Sequence, residues 1–83
     1  MRVTLKLFAT LSEHLPAGAV RNAVDCDVGD GATVRDVLDG HAVPLAKCHL
    51  ILVNGVYVAP AVSGRRRLEP GDTVAVWPPV AGG

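Results

Sequence analysis

The chain opens on strict alternation. In RVTLKLF, Val3, Leu5 and Leu7 fall on one face of an extended segment and Arg2, Thr4 and Lys6 on the other, which predicts a half-buried strand. The period then changes: Phe8, Leu11 and Leu15 recur at helical spacing until Pro16, so one or two helical turns and a loop through PAGA are expected. From Val20 the period of two returns. Val20, Val24, Cys26 and Val28 share one face, Arg21, Asp25 and Asp27 share the other, and Asn22 is the polar exception on the inward side. GDGAT breaks that segment, and Thr33 followed three residues later by Asp36 forms a capping box for VRDVLD, with Val34, Val37 and Leu38 as its apolar stripe and Gly40 as its stop. After Pro44, HLILVN reads as a buried strand, Asn54 and Gly55 as a tight turn, and VYV as the returning partner. Pro70, Gly71 and Asp72 make a last turn into a strand whose Val74 and Val76 face away from Thr73, Ala75 and Trp77.

Strand, strand, helix, strand, short strand, strand is an α+β order. It is satisfied by a mixed sheet packed on one main helix, with the first two strands forming a hairpin and the last returning beside the first, the β-grasp arrangement. The expected core is Val3, Leu5, Leu7, Val24, Leu38, Leu50, Leu52, Val74 and Val76. The domain is expected to run over residues 1–80, with 81–83 as a flexible tail.

Composition narrows the partners. With 83 residues there is room for one small core. Eight basic residues balance eight acidic ones, so bulk charge favours neither nucleic acid nor an anionic membrane. The charges are uneven all the same: Asp25, Asp27, Asp30, Asp36 and Asp39 gather mid-chain, and Arg65, Arg66 and Arg67 form one basic run that could meet an acidic patch or simply be a solvated loop. No stretch reaches the roughly 20 apolar residues of a membrane span, and MRVTLKLF lacks the features of a signal peptide, so a cytoplasmic location is expected. Cys26 and Cys48 form no CxxC and read as reduced, small apolar residues. His14, His41, His49 and Cys48 match no metal spacing.

WPPVAGG is the segment that periodicity does not explain. It is apolar, then bare, and carries no charged side chain. Gly82 and Gly83 are narrow enough to enter a site that would reject any side chain. A frayed end would also account for them.

RVTLKLFATLSEHL, LVNG and LEPGDTVAVWPPVAGG, taken with the order of elements between them, resemble the ubiquitin-like sulfur-carrier proteins. The opening strand and the PPVAGG ending look more like the small subunit of molybdopterin synthase than like the thiamine-pathway carrier. The resemblance implies that the Gly83 carboxylate, assisted by Gly82, is adenylated by an E1-like, ATP-dependent enzyme and converted to a thiocarboxylate. It implies a carrier rather than an enzyme, with no bound cofactor or metal and with ATP consumed by the activating partner. A larger synthase subunit would be the second partner, and no nucleic acid or membrane is implied. Trp77, Pro78, Pro79, Val80 and Ala81 would form the contact surface, with core packing an equal alternative for Trp77. Val80 to Gly83 would reach roughly 13 Å when extended. The same tail would serve a thiamine, cysteine, tRNA-thiolation or tungsten-pterin pathway, or a ubiquitin-like modifier joined to lysines. An incidental β-grasp binding module for RNA or nucleotides is a third reading, disfavoured by the neutral charge and the lack of paired aromatics on a sheet face.

Overall fold

Five strands and one helix make up the computed structural model, which describes residues 1–79. Strands β1 (Arg2–Leu7), β2 (Ala23–Asp27), β3 (Leu50–Val53), β4 (Val56–Tyr57) and β5 (Thr73–Trp77) form one sheet in the order β2-β1-β5-β3-β4. β1 and β2 pair antiparallel, β1 and β5 run parallel in the centre, and β5 pairs antiparallel with β3. Helix α1 (Val34–Gly40) covers one face. The expected helical turn is a 3₁₀ segment over Ala9–His14 that contains Leu11, with Phe8 and Leu15 as the extended residues that cap its two ends. This is the mixed β-grasp sheet on one main helix that the sequence predicts.

The alternation of β1 and β5 explains the core. Val3, Leu5, Leu7, Val74 and Val76 are fully buried, and Val34, Val37 and Leu38 of α1 close over them. Two expectations fail on β3. Leu50 and Leu52 are only half-buried, and Ile51 and Val53 take the core positions. The reason is register: Ile51 lies opposite Val76 and Val53 opposite Val74, and residues directly opposite one another point to the same face. Within an unbroken apolar run nothing local marks which parity faces in. Val24 shares the core face, opposite Leu5, but stays half-buried because β2 is an edge strand.

The turns carry the rest. Val20 leaves the sheet: Arg21 and Asn22 both adopt positive φ (53° and 64°), Val20 and Ala23 exchange two hydrogen bonds of 3.0 Å, and Val20 is 69% exposed. Asn22 caps β1, its side-chain amide donating to the Leu7 carbonyl at 2.9 Å. Asn54 and Gly55 also have positive φ (51° and 82°), the primed hairpin geometry expected of Asn-Gly. The Asn54 side chain then joins this turn to the start of β5, accepting from Thr73 N–H and donating to Asp72, each at 2.9 Å. At the start of α1 the capping box forms in full, with Asp36 N–H donating to Thr33 Oγ1 at 3.2 Å and Thr33 N–H donating to Asp36 Oδ2 at 2.9 Å.

Candidate functional site at the end of the last strand

β5 ends at Trp77, and its end is held on both sides. The Trp77 carbonyl accepts from His49 N–H at 2.9 Å, and the Val76 carbonyl accepts from Phe8 N–H at 3.1 Å. Because Val76 points into the core, Trp77 points to the face of the sheet that α1 leaves uncovered. There it lies parallel to Phe8, with ring centroids 4.4 Å apart and planes 5° from parallel. A stack of this kind adds about 0.5–1.5 kcal/mol beyond the area it buries. Trp77 and Pro78 are half-buried and Pro79 is exposed.

The strand register extends this aromatic pair into an apolar face. Leu50 lies opposite Trp77, Leu52 opposite Ala75, and Tyr57 opposite Leu52; Tyr57 is 57% exposed. The sequence-predicted contact residues Trp77, Pro78 and Pro79 therefore stand at the rim of this face. Val80, Ala81, Gly82 and Gly83 lie outside the described residues.

Phe8, Leu50, Leu52 and Tyr57 were missed as surface positions. For Phe8 the signal is present: continuing the alternation of β1 one residue beyond Leu7 puts Phe8 on the outer face with Lys6, whereas helical spacing groups it with Leu11 and Leu15. For Leu50 and Leu52 the signal exists only in the pairing with β5.

Other candidates lie elsewhere. Arg65, Arg66 and Arg67 sit against the start of α1, where Val34 N–H donates to the Arg66 carbonyl at 2.9 Å and Leu68 N–H donates to the Ala32 carbonyl at 2.8 Å. This is the end of the sheet where β5 begins, remote from Trp77. His14 lies within 3.8 Å of Glu13, and Cys48 is buried. Among the described residues no three His, Cys, Asp or Glu side chains gather as a metal site. A cleft lined by Val28, Gly29, Asp30, Gly31, Ala32 and Asp36 opens beside the start of α1 and touches none of the outer-face residues.

With this geometry the chain can be compared with known proteins. Residues 1–82 match the family described as Mut7-C ubiquitin. The chain belongs to that family. A curated relative, small archaeal modifier protein 3 of Haloferax volcanii, is 38% identical over 96 residues, spanning 100% of both chains. The crystal structure of SAMP1 from Haloferax volcanii superposes with a TM-score of 0.71 at 32% identity, covering 100% of each chain. A putative molybdopterin converting factor subunit 1 from Pyrococcus furiosus superposes at 0.67 with 29% identity, over 95% of this chain and 98% of that one. The relatives are small ubiquitin-like carrier or modifier proteins. No helix among the described residues is long and apolar enough to cross a membrane.

Proposed function

We propose that the protein is a sulfur carrier whose Gly83 carboxylate is adenylated and then converted to a thiocarboxylate, acting as the small subunit of a molybdopterin synthase. The observation that carries this reading is the joint at Trp77. A strand pinned by His49 and Phe8 passes through a stacked aromatic pair straight into Pro78 and Pro79. Such a base fixes the direction of the stem and lowers the entropy lost when the stem enters a partner.

A carboxylate is a poor electrophile. Attack of its oxygen on the α-phosphate of ATP, with pyrophosphate leaving, gives an acyl-adenylate whose AMP a sulfur nucleophile then displaces. Gly82 and Gly83 present no side chain to the activating enzyme or to the synthase pocket. The outer face of Phe8, Leu50, Leu52, Tyr57 and Trp77 is the contact surface for the large subunit. Its aromatic and aliphatic make-up is that of an interface core, with Lys6, opposite Ala75, as the charged residue beside it.

The likeness to small archaeal modifier proteins of Haloferax volcanii favours a second reading, in which a lysine amine takes the place of sulfur. One experiment separates the two. Incubated with an ATP-dependent activating enzyme and a sulfur donor, the protein gains the mass of one oxygen-to-sulfur exchange at Gly83, and the Gly83 deletion does not. The Cys26→Ala and Cys48→Ala variants keep the gain. Branched peptides joining Gly83 to lysine, with no thiocarboxylate, would instead establish the modifier.

A further inference from the structure

Cys26 and His41 form a pair remote from Trp77. Cys26, on β2, has its Sγ 3.6 Å from Nε2 of His41, which follows the last turn of α1. The other ring nitrogen, Nδ1, is 3.0 Å from the Val37 carbonyl oxygen. A carbonyl can only accept, so in the neutral ring Nδ1 carries the proton and Nε2 offers its lone pair to the thiol. Nucleophile, base and a third group that orients the base are the parts of an activated thiol. Cys26 Sγ also lies 3.8 Å from the Val24 carbonyl, farther than from Nε2, whereas Cys48 is 4% exposed and its Sγ donates to the Pro44 carbonyl, which cannot take up a proton.

The surroundings of Cys26 select among reagents. It is half-buried on an edge strand, and its exposed neighbours Asp25 and Asp27 stand on the other face of that strand, Asp25 accepting from Thr4 Oγ1 at 2.8 Å and Asp27 paired with Arg2 at 3.3 Å. Opposite it on β1 is Val3, which brings no charge. The nearby Met1 ammonium is occupied, 2.6 Å from the Val28 carbonyl and 3.8 Å from Asp30. Burial first, then the two flanking carboxylates, push the thiol above its usual range, so the resting sulfur is protonated. Reaction then depends on a base that removes the proton as sulfur attacks.

We propose that Cys26 is a thiol-exchange site for small disulfides that carry no negative charge, with His41 as its base. Sulfur of Cys26 attacks one sulfur of the disulfide while the thiol proton passes to Nε2 of His41. The disulfide bond breaks, and the departing thiolate takes the proton from the imidazolium. Cys26 ends as a mixed disulfide and one small thiol is released, so the reagent itself is the oxidant. Asp25 and Asp27 outweigh the single positive charge of Arg2, so this edge attracts a cationic disulfide and repels an anionic one at a range that ordinary salt only partly screens.

The test uses the full chain carrying Cys48→Ala, treated with cystamine or with the anionic 3,3′-dithiodipropionate, with adducts located by peptide mass spectrometry. The expected result is one cysteamine adduct on Cys26, formed about tenfold faster than the anionic adduct in low salt. Molar salt brings the two rates together, and Asp25→Asn with Asp27→Asn, which leaves Arg2 unpaired, removes the preference for cystamine. His41→Gln slows cystamine about 100-fold at neutral pH and leaves a rate that rises in proportion to thiolate as pH rises. Circular dichroism checks that this variant folds. If it does not, the ring ¹⁵N shifts of His41 in the unsubstituted protein decide, and a proton on Nε2 in the neutral ring overturns the proposal. So does an unchanged rate and pH profile in folded His41→Gln, or a Cys26 that reacts no faster than Cys48 does in a Cys26→Ala chain.

Discussion

Asp72 shows how much a single turn residue can hold together. Its Oδ2 accepts from Glu69 N–H at 2.8 Å and its Oδ1 from the Asn54 amide at 2.9 Å, so one carboxylate spans the Pro-Gly-Asp turn and the Asn-Gly hairpin. The Glu69 bond first, and the Asn54 bond second, hold its pKa below the usual carboxylate value. A depressed folded-state pKa means that the ionised form is favoured in the native protein. Its contribution to stability is therefore complete above the unfolded carboxylate value of about 3.9 and is lost as pH falls through the lower folded value. Urea midpoints should show this. Between pH 7 and pH 3 the wild type should lose more stability than Asp72→Asn, whose side chain does not titrate. Equal losses would remove Asp72 from the acid response. The helix cap gives a second residue-scale expectation: Thr33→Ala, which deletes the hydroxyl that accepts from Asp36 N–H, should cost about 1 kcal/mol in the same measurement.

Among the elements, what could be read in advance depended on whether polar residues interrupted the apolar ones. β1, α1 and β5 each carry Thr, Lys, Arg or Asp at intervals that mark the solvent side, and each adopts the expected face. β3 has no such marks, and its facing is decided by β5, more than twenty residues later in the chain. The Val20 segment failed for another reason. Arg21 and Asn22 form a primed turn without glycine, so the usual hairpin signal was missing and the strand was begun too early. The corrected facing of β3 makes a direct prediction. Ile51→Ala, at a fully buried position, should cost about 2–5 kcal/mol. Leu50→Ala and Leu52→Ala, on the half-buried outer face, should each cost distinctly less in urea denaturation. The reverse ranking would contradict the register of β3 on β5.

For the molecule as a whole, the buried core lies between Val3 and Val76. A chain cut after Pro79 should therefore keep its thermal midpoint while losing any chemistry that depends on Gly83. The candidate site was legible only in part. Gly82 and Gly83 stand out in the sequence because they are bare, but the outer face that leads to them combines residues 8, 50, 52, 57 and 77, which only sheet pairing assembles. Phe8→Ala tests whether that face matters. Removing the stacking partner of Trp77 should weaken association with the activating enzyme or the synthase subunit by about tenfold, equivalent to about 1.4 kcal/mol, while Phe8→Trp restores it. Calorimetric titration would read the affinity, and an unchanged value would detach the aromatic pair from partner binding.

The parallel pairing of β1 with β5 also sets when the protein can fold as it is made. Synthesis proceeds from the N-terminus, so β1 emerges early and stays without its central neighbour until Thr73–Trp77 has been added. Long-range pairing of this kind is slow to form and gains nothing until the loop is closed. Released chains that end at Pro70 should exchange their β1 amides freely, and released chains that end at Pro79 should protect them. A ribosome that stalls early therefore releases only unfolded material, open to proteolysis. Every molecule that does fold has been translated at least through Trp77, so a folded copy that lacks Gly83 can come only from termination within the last six residues.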